Sequence, residues 1–305
     1  MRLLNASGCL DALTAPDVAR SLDAYVTKTV TPLPREGNAA VRIAETEVGM
    51  LNAIGLANPG IEDFLAEHLP RLAALGVPLW VSVGGFAVDD YVQVAARLDE
   101  RAEVEVLELN LSCPNVDEVP DNVAEVVAAV RATTRKPLYA KLSAAVADLA
   151  ATARAAEASG AEGLSLVNTL KGLALDERTL RPVLARGAGG LSGPALRPVA
   201  LAAVHTCFEA TALPIVGMGG VSSGRHALEL LAAGASDVAV GTALFSDPAA
   251  ATSIRSELAA ELASLGFADP DNAIGHAHAS MGSTLDLRSR VEAKKSLHTG
   301  ANMPG

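Results

Sequence analysis

Apolar residues fall along this chain in short blocks, and the blocks recur. They are LLNASG (3–8), AYVTKTV (24–30), PLWVSV (78–83), VEVLELN (104–110), PLYAKL (137–142), GLSLVN (163–168), PIVGMGG (214–220) and DVAVGTA (237–243). Short, and apolar on both alternating sets of positions, each reads as a strand buried on both faces. Between them stand Ala-rich segments of helical period, such as NVAEVVAAVRATT and DLAATARAAEASG, the second closed by Gly160. Eight alternations of strand and helix predict an α/β fold, a (β/α)8 TIM barrel, with a doubly wound parallel sheet as the alternative.

Two segments break the rhythm. Residues 31–62 (TPLPREGNAAVRIAETEVGMLNAIGLANPGIE) are too long and too rich in Pro, Gly and Asn for a plain connection. They read as a segment inserted after the second strand, of the kind that covers a site. Residues 279–305 are polar, end in HTGANMPG and read as an appended, mobile tail, which leaves 1–278 as the barrel.

Composition narrows the function. Of 305 residues 50% are hydrophobic but only 3% aromatic, so Ala, Val and Leu must fill the interior. A formal charge of −11 argues against a nucleic-acid surface. No run reaches the ~18 apolar residues of a membrane span, and the start turns polar too early for a signal peptide. The cysteines, Cys9, Cys113 and Cys207, form no CxxC pair and no Cys/His cluster. That spacing predicts no zinc or iron–sulfur site within the chain, and it fits a reducing cytoplasm.

In a barrel, chemistry gathers at the carboxyl ends of the strands. Here those ends carry Lys28, then Asn110 and Cys113, then Lys141, then Asn168 and Thr169. Singly each has an ordinary reading: an Asn is a turn former, a Cys a small core residue, a Lys solvated. Their recurrence at one end of successive strands makes them a constellation. Three glycine segments join them: GGLSG (189–193) ahead of a helix, GMGGV (217–221) and VGTALF (240–245). Loops after the last two strands of a barrel commonly hold phosphate through backbone N–H groups, and glycine permits the close approach.

With these motifs in view the chain resembles the class 1 dihydroorotate dehydrogenases, FMN-containing (β/α)8 barrels of pyrimidine biosynthesis. The resemblance rests on NASG (5–8), VTKTVTPLPREGN (26–38), Arg42 with GMLNAIGLANPG (49–60), ELNLSCPN (108–115), AKLS (140–143), LVNTLKG (166–172) and the three glycine segments. The wording is most similar to the subgroup that works with NAD through an iron–sulfur, FAD-containing partner subunit. The resemblance implies that Cys113 is the catalytic base. It implies a substrate site of Lys28, Asn52, Asn110, Asn115, Asn168 and Thr169 with the backbone of Ile54, Gly55 and Leu56. Amide side chains suit that task, since they both donate and accept toward a pyrimidine ring. It implies FMN bound by Ser7, Lys28, Asn110, Lys141, Gly193, Gly219, Gly220, Gly241 and Thr242, and a homodimeric core.

The chain departs from the family's pattern in three places. VDEVPDN (116–122) after SCPN is shorter than the family's glycine-rich lid, AKLS is followed by AAV, and NASG is followed by CLDAL. Three other readings stay open on the residues. One is a related FMN oxidoreductase acting on another cyclic amide or enone, one a flavin-binding paralogue with weak turnover, and one a flavin-free sugar-phosphate barrel.

Overall fold

The computed structural model describes residues 1–112 and 122–278. Among them the strands run in chain order as β1 (Leu3–Asn5), β2 (Tyr25–Val26), β3 (Ile43–Thr46), β4 (Gly49–Asn52), β5 (Leu79–Val83), β6 (Val106–Asn110), β7 (Leu138–Leu142), β8 (Gly163–Leu166), β9 (Leu170–Gly172), β10 (Gly189–Ser192), β11 (Ile215–Met218) and β12 (Asp237–Val240). Eight of them pair in parallel in the order β1-β12-β11-β8-β7-β6-β5-β2. A parallel bridge between Leu4 and Ala24 joins β1 to β2 and closes the sheet. The fold is therefore a (β/α)8 barrel and not an open doubly wound sheet, and each barrel strand lies within one of the eight apolar runs.

The helices between the strands form where the sequence supplies ends. Asn122 caps Val123–Arg131 by accepting the Glu125 N–H, and Asp148 caps Leu149–Ala158 by accepting the Ala151 N–H. Ser223 caps Gly224–Ala233, which Gly234 ends in the left-handed region at φ 117°. Helices Val88–Asp99, Arg197–Ala210 and Ala250–Ser264, with the shorter Pro16–Arg20 and the helical stretch 60–73, complete the outer ring.

The alternation of each strand divides the core in two. One set of side chains packs outward against the helices, including Leu107, Leu109, Leu138 and Leu164. The other set fills the lumen: Leu4, Val26, Trp80, Val106, Tyr139, Val216, Met218 and Ala239. Gly163 makes room for this filling, since a Cβ there would fall 2.2 Å from the Tyr139 ring. Arg2 and Asp237, paired at 2.9 Å, lie at the amino end of the barrel. One step toward the carboxyl end, the lumen turns polar at Ser82, Glu108, Lys141 and Ser165, all buried.

Two features differ from the sequence reading. The run 24–30 forms a strand only at Tyr25–Val26, with isolated parallel bridges at Ala24 and Val30, so Lys28 stands beyond the strand's end. Residues 189–193, read as a glycine loop before a helix, are mostly strand. β10 joins the hairpin β3–β4 from the inserted segment, and β9, in an antiparallel sheet ordered β3-β4-β10-β9. The reason is steric: a Cβ at Gly189 would meet the Asn52 carbonyl oxygen at 2.5 Å, so glycine here serves close strand approach. Only Gly193, at φ 90°, turns the chain toward the next helix.

Candidate active site

A cavity of about 440 Å³ opens at the carboxyl ends of the barrel strands, within the range of roughly 300–1,000 Å³ usual for small-molecule sites. Its wall includes Ser7, Lys28, Asn52, Ile54, Gly55, Leu56, Asn110, Lys141, Asn168, Thr169, Gly193, Gly219, Gly220, Gly241 and Thr242. Every sequence-expected residue among the described ones thus faces one space. Cys113 and Asn115, like the tail 279–305, lie outside the described residues.

The constellation is built by strand period. On β6, Val106 fills the lumen, Glu108 the polar layer and Asn110 the cavity wall. On β7, Tyr139 is followed by Lys141 in the same way. Asn168 links the ends of neighbouring strands: its Nδ2 donates to Asn110 Oδ1 at 3.1 Å and to the Ser112 carbonyl at 3.0 Å. Its Oδ1 accepts the Thr169 N–H at 2.9 Å. Asn110 Nδ2 donates to Thr29 Oγ1 at 3.2 Å, and the Tyr91 hydroxyl donates to the Asn110 carbonyl at 2.8 Å. Asn110 keeps one N–H hydrogen and one oxygen lone pair spare, and Asn168, whose two N–H hydrogens are both used, keeps a lone pair on Oδ1. Asn52 sits on β4, its Nδ2 donating to the Gly190 carbonyl at 3.3 Å.

The cations have defined supports. Lys141, 7% exposed, pairs with the buried Glu108 at 3.5 Å. Lys28 packs against Gly8, where a Cβ would fall 3.0 Å from its Nζ. Cys9, also in the wall, was not singled out as a site residue in the sequence. Burial pushes its thiol pKa up, against the pull of the nearby Lys141 and Lys28 charges. Thr29, Ser192 and Phe245 are further wall residues that the sequence reading passed over. Ser192 stood inside the GGLSG motif, and its Oγ accepts the Thr242 hydroxyl at 2.8 Å.

The glycine side of the cavity fits a phosphorylated cofactor. The backbone N–H groups of Gly219, Gly220 and Thr242 donate to no acceptor among the described residues. Gly219 and Gly220 hold positive φ of 131° and 69°. A Cβ at Gly241 would meet only the wall atoms of Ala6 and Cys9, both at 3.5 Å, so a larger side chain there would grow into the cavity. Free N–H groups on bare backbone, in a wall that also carries Lys28 and Lys141, suit an anionic ligand.

Comparison with known proteins gives a consistent picture. The family model described as dihydroorotate dehydrogenase matches residues 2–262. A protein of Anoxybacillus flavithermus, named dihydroorotate dehydrogenase B (NAD(+)), catalytic subunit, is 47% identical over 253 residues, covering 81% of each chain. A protein of Geobacillus kaustophilus with the same name is 43% identical over 285 residues, covering 90% of each. The crystal structure of the Eimeria tenella enzyme DHODH with ferulenol superposes with a TM-score of 0.77 at 23% identity, over 90% of this chain and 85% of that one. At that identity it speaks to the fold alone.

Proposed function

The chain belongs to the dihydroorotate dehydrogenase family and oxidises dihydroorotate to orotate in pyrimidine biosynthesis, and we propose that it does so with FMN held in the cavity at the barrel mouth. The observation that carries this reading is that one cavity wall joins the Asn110–Asn168 network to the open glycine backbone at 219–220 and 241–242.

In this reading Gly193, Gly219, Gly220, Gly241 and Thr242 hold the phosphate through backbone N–H groups. Ser7, Lys28, Asn110 and Lys141 face the ring. FMN, when bound, supplies the hydride acceptor for the hydrogen on C6 of dihydroorotate. The Lys141 ammonium, in the cavity wall, would favour negative charge on a bound flavin ring. Asn52, Asn110, Asn115, Asn168 and Thr169, with Lys28 and the backbone of Ile54, Gly55 and Leu56, orient the substrate's amide and carboxylate groups. Cys113 removes the C5 proton: the C5–H bond breaks, its electrons enter the C5–C6 double bond, and sulfur takes the proton. A free thiol of pKa about 8.5 is mostly protonated at neutral pH, so the site must favour thiolate when substrate is bound.

For the electron acceptor we propose an iron–sulfur, FAD-containing partner subunit that passes electrons to NAD. This is supported by the relatives' name as catalytic subunits of NAD(+) enzymes and by three scattered cysteines, too few for a four-ligand cluster. A homodimeric core and a cytoplasmic location belong to the same reading. Among the described residues no helix is long and apolar enough to cross a membrane.

The experiment is anaerobic flavin reduction by dihydroorotate. Purified protein should release FMN and not FAD on denaturation. Cys113→Ala should keep the flavin but bleach about 10²–10⁴-fold more slowly. A protein that is colourless and takes up no FMN refutes the cofactor assignment. A variant that bleaches at the wild-type rate refutes the base.

A further inference from the structure

We infer that His205, Glu209 and His278 bind one divalent transition-metal ion of the zinc class, at the end of the barrel opposite the cavity. Helix Arg197–Ala210 runs down to the start of β11, so its last two turns, with His205 and Glu209, lie toward the amino ends of the strands. His278 comes from a different element, the short turn His276–His278. The three offer ligand atoms that all lie within 4.8 Å of one another.

The geometry around His278 is a built one. The ring is 5% exposed and lies between His205, stacked at 3.8 Å, and Phe208 at 4.8 Å. Its Nε2 lies 3.0 Å from the Ala233 carbonyl oxygen. A carbonyl only accepts, so Nε2 carries the hydrogen, and the neutral ring then presents a lone pair at Nδ1. That lone pair faces Glu209 Oε1 at 3.4 Å. Two acceptors face each other there, so the spot calls for a cation between them: either a proton on Nδ1 or a metal ion.

Three facts favour the metal. The bond from the far ring nitrogen to a backbone carbonyl is the outer contact that characteristically orients a metal-bound imidazole. Two imidazoles and a carboxylate are a donor set suited to zinc, with a fourth position left for water. Tetrahedral zinc with bonds near 2.0–2.2 Å separates its donors by about 3.3 Å, which the Glu209–His278 pair already meets. His205, half-buried, offers a ring nitrogen within 4.8 Å of the other two donor atoms, and its ring would leave the stack on His278 to ligate the same ion. The ion would tie the turn after the last long helix to helix Arg197–Ala210. The amino end of such a barrel serves stability.

The test uses the flavin-loaded enzyme stripped of metal by a chelator and titrated with Zn²⁺ by calorimetry, with Co²⁺ absorption as a second reading of ligand geometry. One ion per chain should bind and raise Tm, and Co²⁺ should give the strong visible bands of a four-coordinate site. His205→Ala and Glu209→Gln, both on the exposed side, should fold normally and weaken Zn²⁺ by more than about tenfold. Flavin content and dihydroorotate oxidation should not change. Absence of stoichiometric uptake overturns the proposal, as does equal Zn²⁺ binding by both variants. A clasp that responds to pH through His278 but not to Zn²⁺ would identify the cation as a proton and overturn it too.

Discussion

Replacing Glu108 tests the polar layer beneath the cavity. Glu108 is 1% exposed, Lys141 7%, and Glu108 Oε1 lies 3.5 Å from Lys141 Nζ. Oε1 accepts no hydrogen bond among the described residues, so the ammonium is its compensation. At 3.5 Å and an effective dielectric near 20 the attraction is about 5 kcal/mol. Removing one partner of a buried pair typically costs about 3–5 kcal/mol, because the other charge is left unpaired. Glu108→Met should therefore lower Tm by on the order of 5–8 °C in a chain of this size. Replacing both residues with Met removes both desolvation costs and should restore most of that loss. The assay is a double-mutant cycle by thermal melting of flavin-free protein, since Lys141 is also assigned to the flavin. Wild-type melting of Glu108→Met refutes the argument. So does a double variant that loses the full sum of the two singles.

Three shorter predictions follow from other parts of the molecule. Gly241→Val should fold but bind FMN about 10–100-fold more weakly, because its methyl groups enter the cavity beside Ala6 and Cys9; flavin titration of the apoprotein measures it. Burial pushes the Tyr25 hydroxyl up to about 12, and it donates to the Leu10 carbonyl at 3.0 Å. The folded state therefore holds this proton more tightly than the unfolded one. The contribution, about 3 kcal/mol, is whole below pH 10 and is lost as pH rises toward 12, and Tyr25→Phe should flatten that part of the stability profile. The isolated chain should reduce small artificial acceptors with dihydroorotate but not NAD, and NAD turnover by this chain alone would refute the partner subunit.

The barrel was legible because its signal is local. Each barrel strand is apolar on both faces, and Asn122, Asp148, Ser223 and Gly234 mark helix ends in the sequence itself. The site was legible in part for the same reason: residues at or just past the carboxyl ends of the strands lie at the barrel mouth. The second sheet was not legible. Its strands are half-exposed, β3 reading exposed and intermediate in turn, and β10 is half glycine. What makes β10 a strand is its pairing with β4, where Gly190 stands opposite Asn52 across 138 positions of sequence. No local period records such a pairing. Cys9 escaped for a different reason. A cysteine four residues beyond the end of β1 looks like a small core residue until Gly241 and the two lysines are placed around it.

The second sheet also explains why the inserted segment and the glycine segments belong to one device. Asn52 Nδ2 donates to the Gly190 carbonyl, Ser192 Oγ donates to the Met50 carbonyl at 3.3 Å, and the Thr242 hydroxyl donates to Ser192 Oγ. These bonds run from a residue assigned to substrate, through β4 and β10, to a residue assigned to the phosphate. Neither β4 nor β10 has an apolar run of its own, so each depends on the other to satisfy its backbone. Leu51, the buried residue of β4, packs with Ala53 and Leu184 in a small cluster apart from the barrel core. A side chain at Gly189 or Gly193 would separate the strands, since their would-be Cβ atoms fall 2.5 Å from the Asn52 oxygen and 2.7 Å from the Gly49 Cα. Glycine at these positions therefore acts on the substrate side of the cavity as well as the cofactor side, through the spacing of two paired strands.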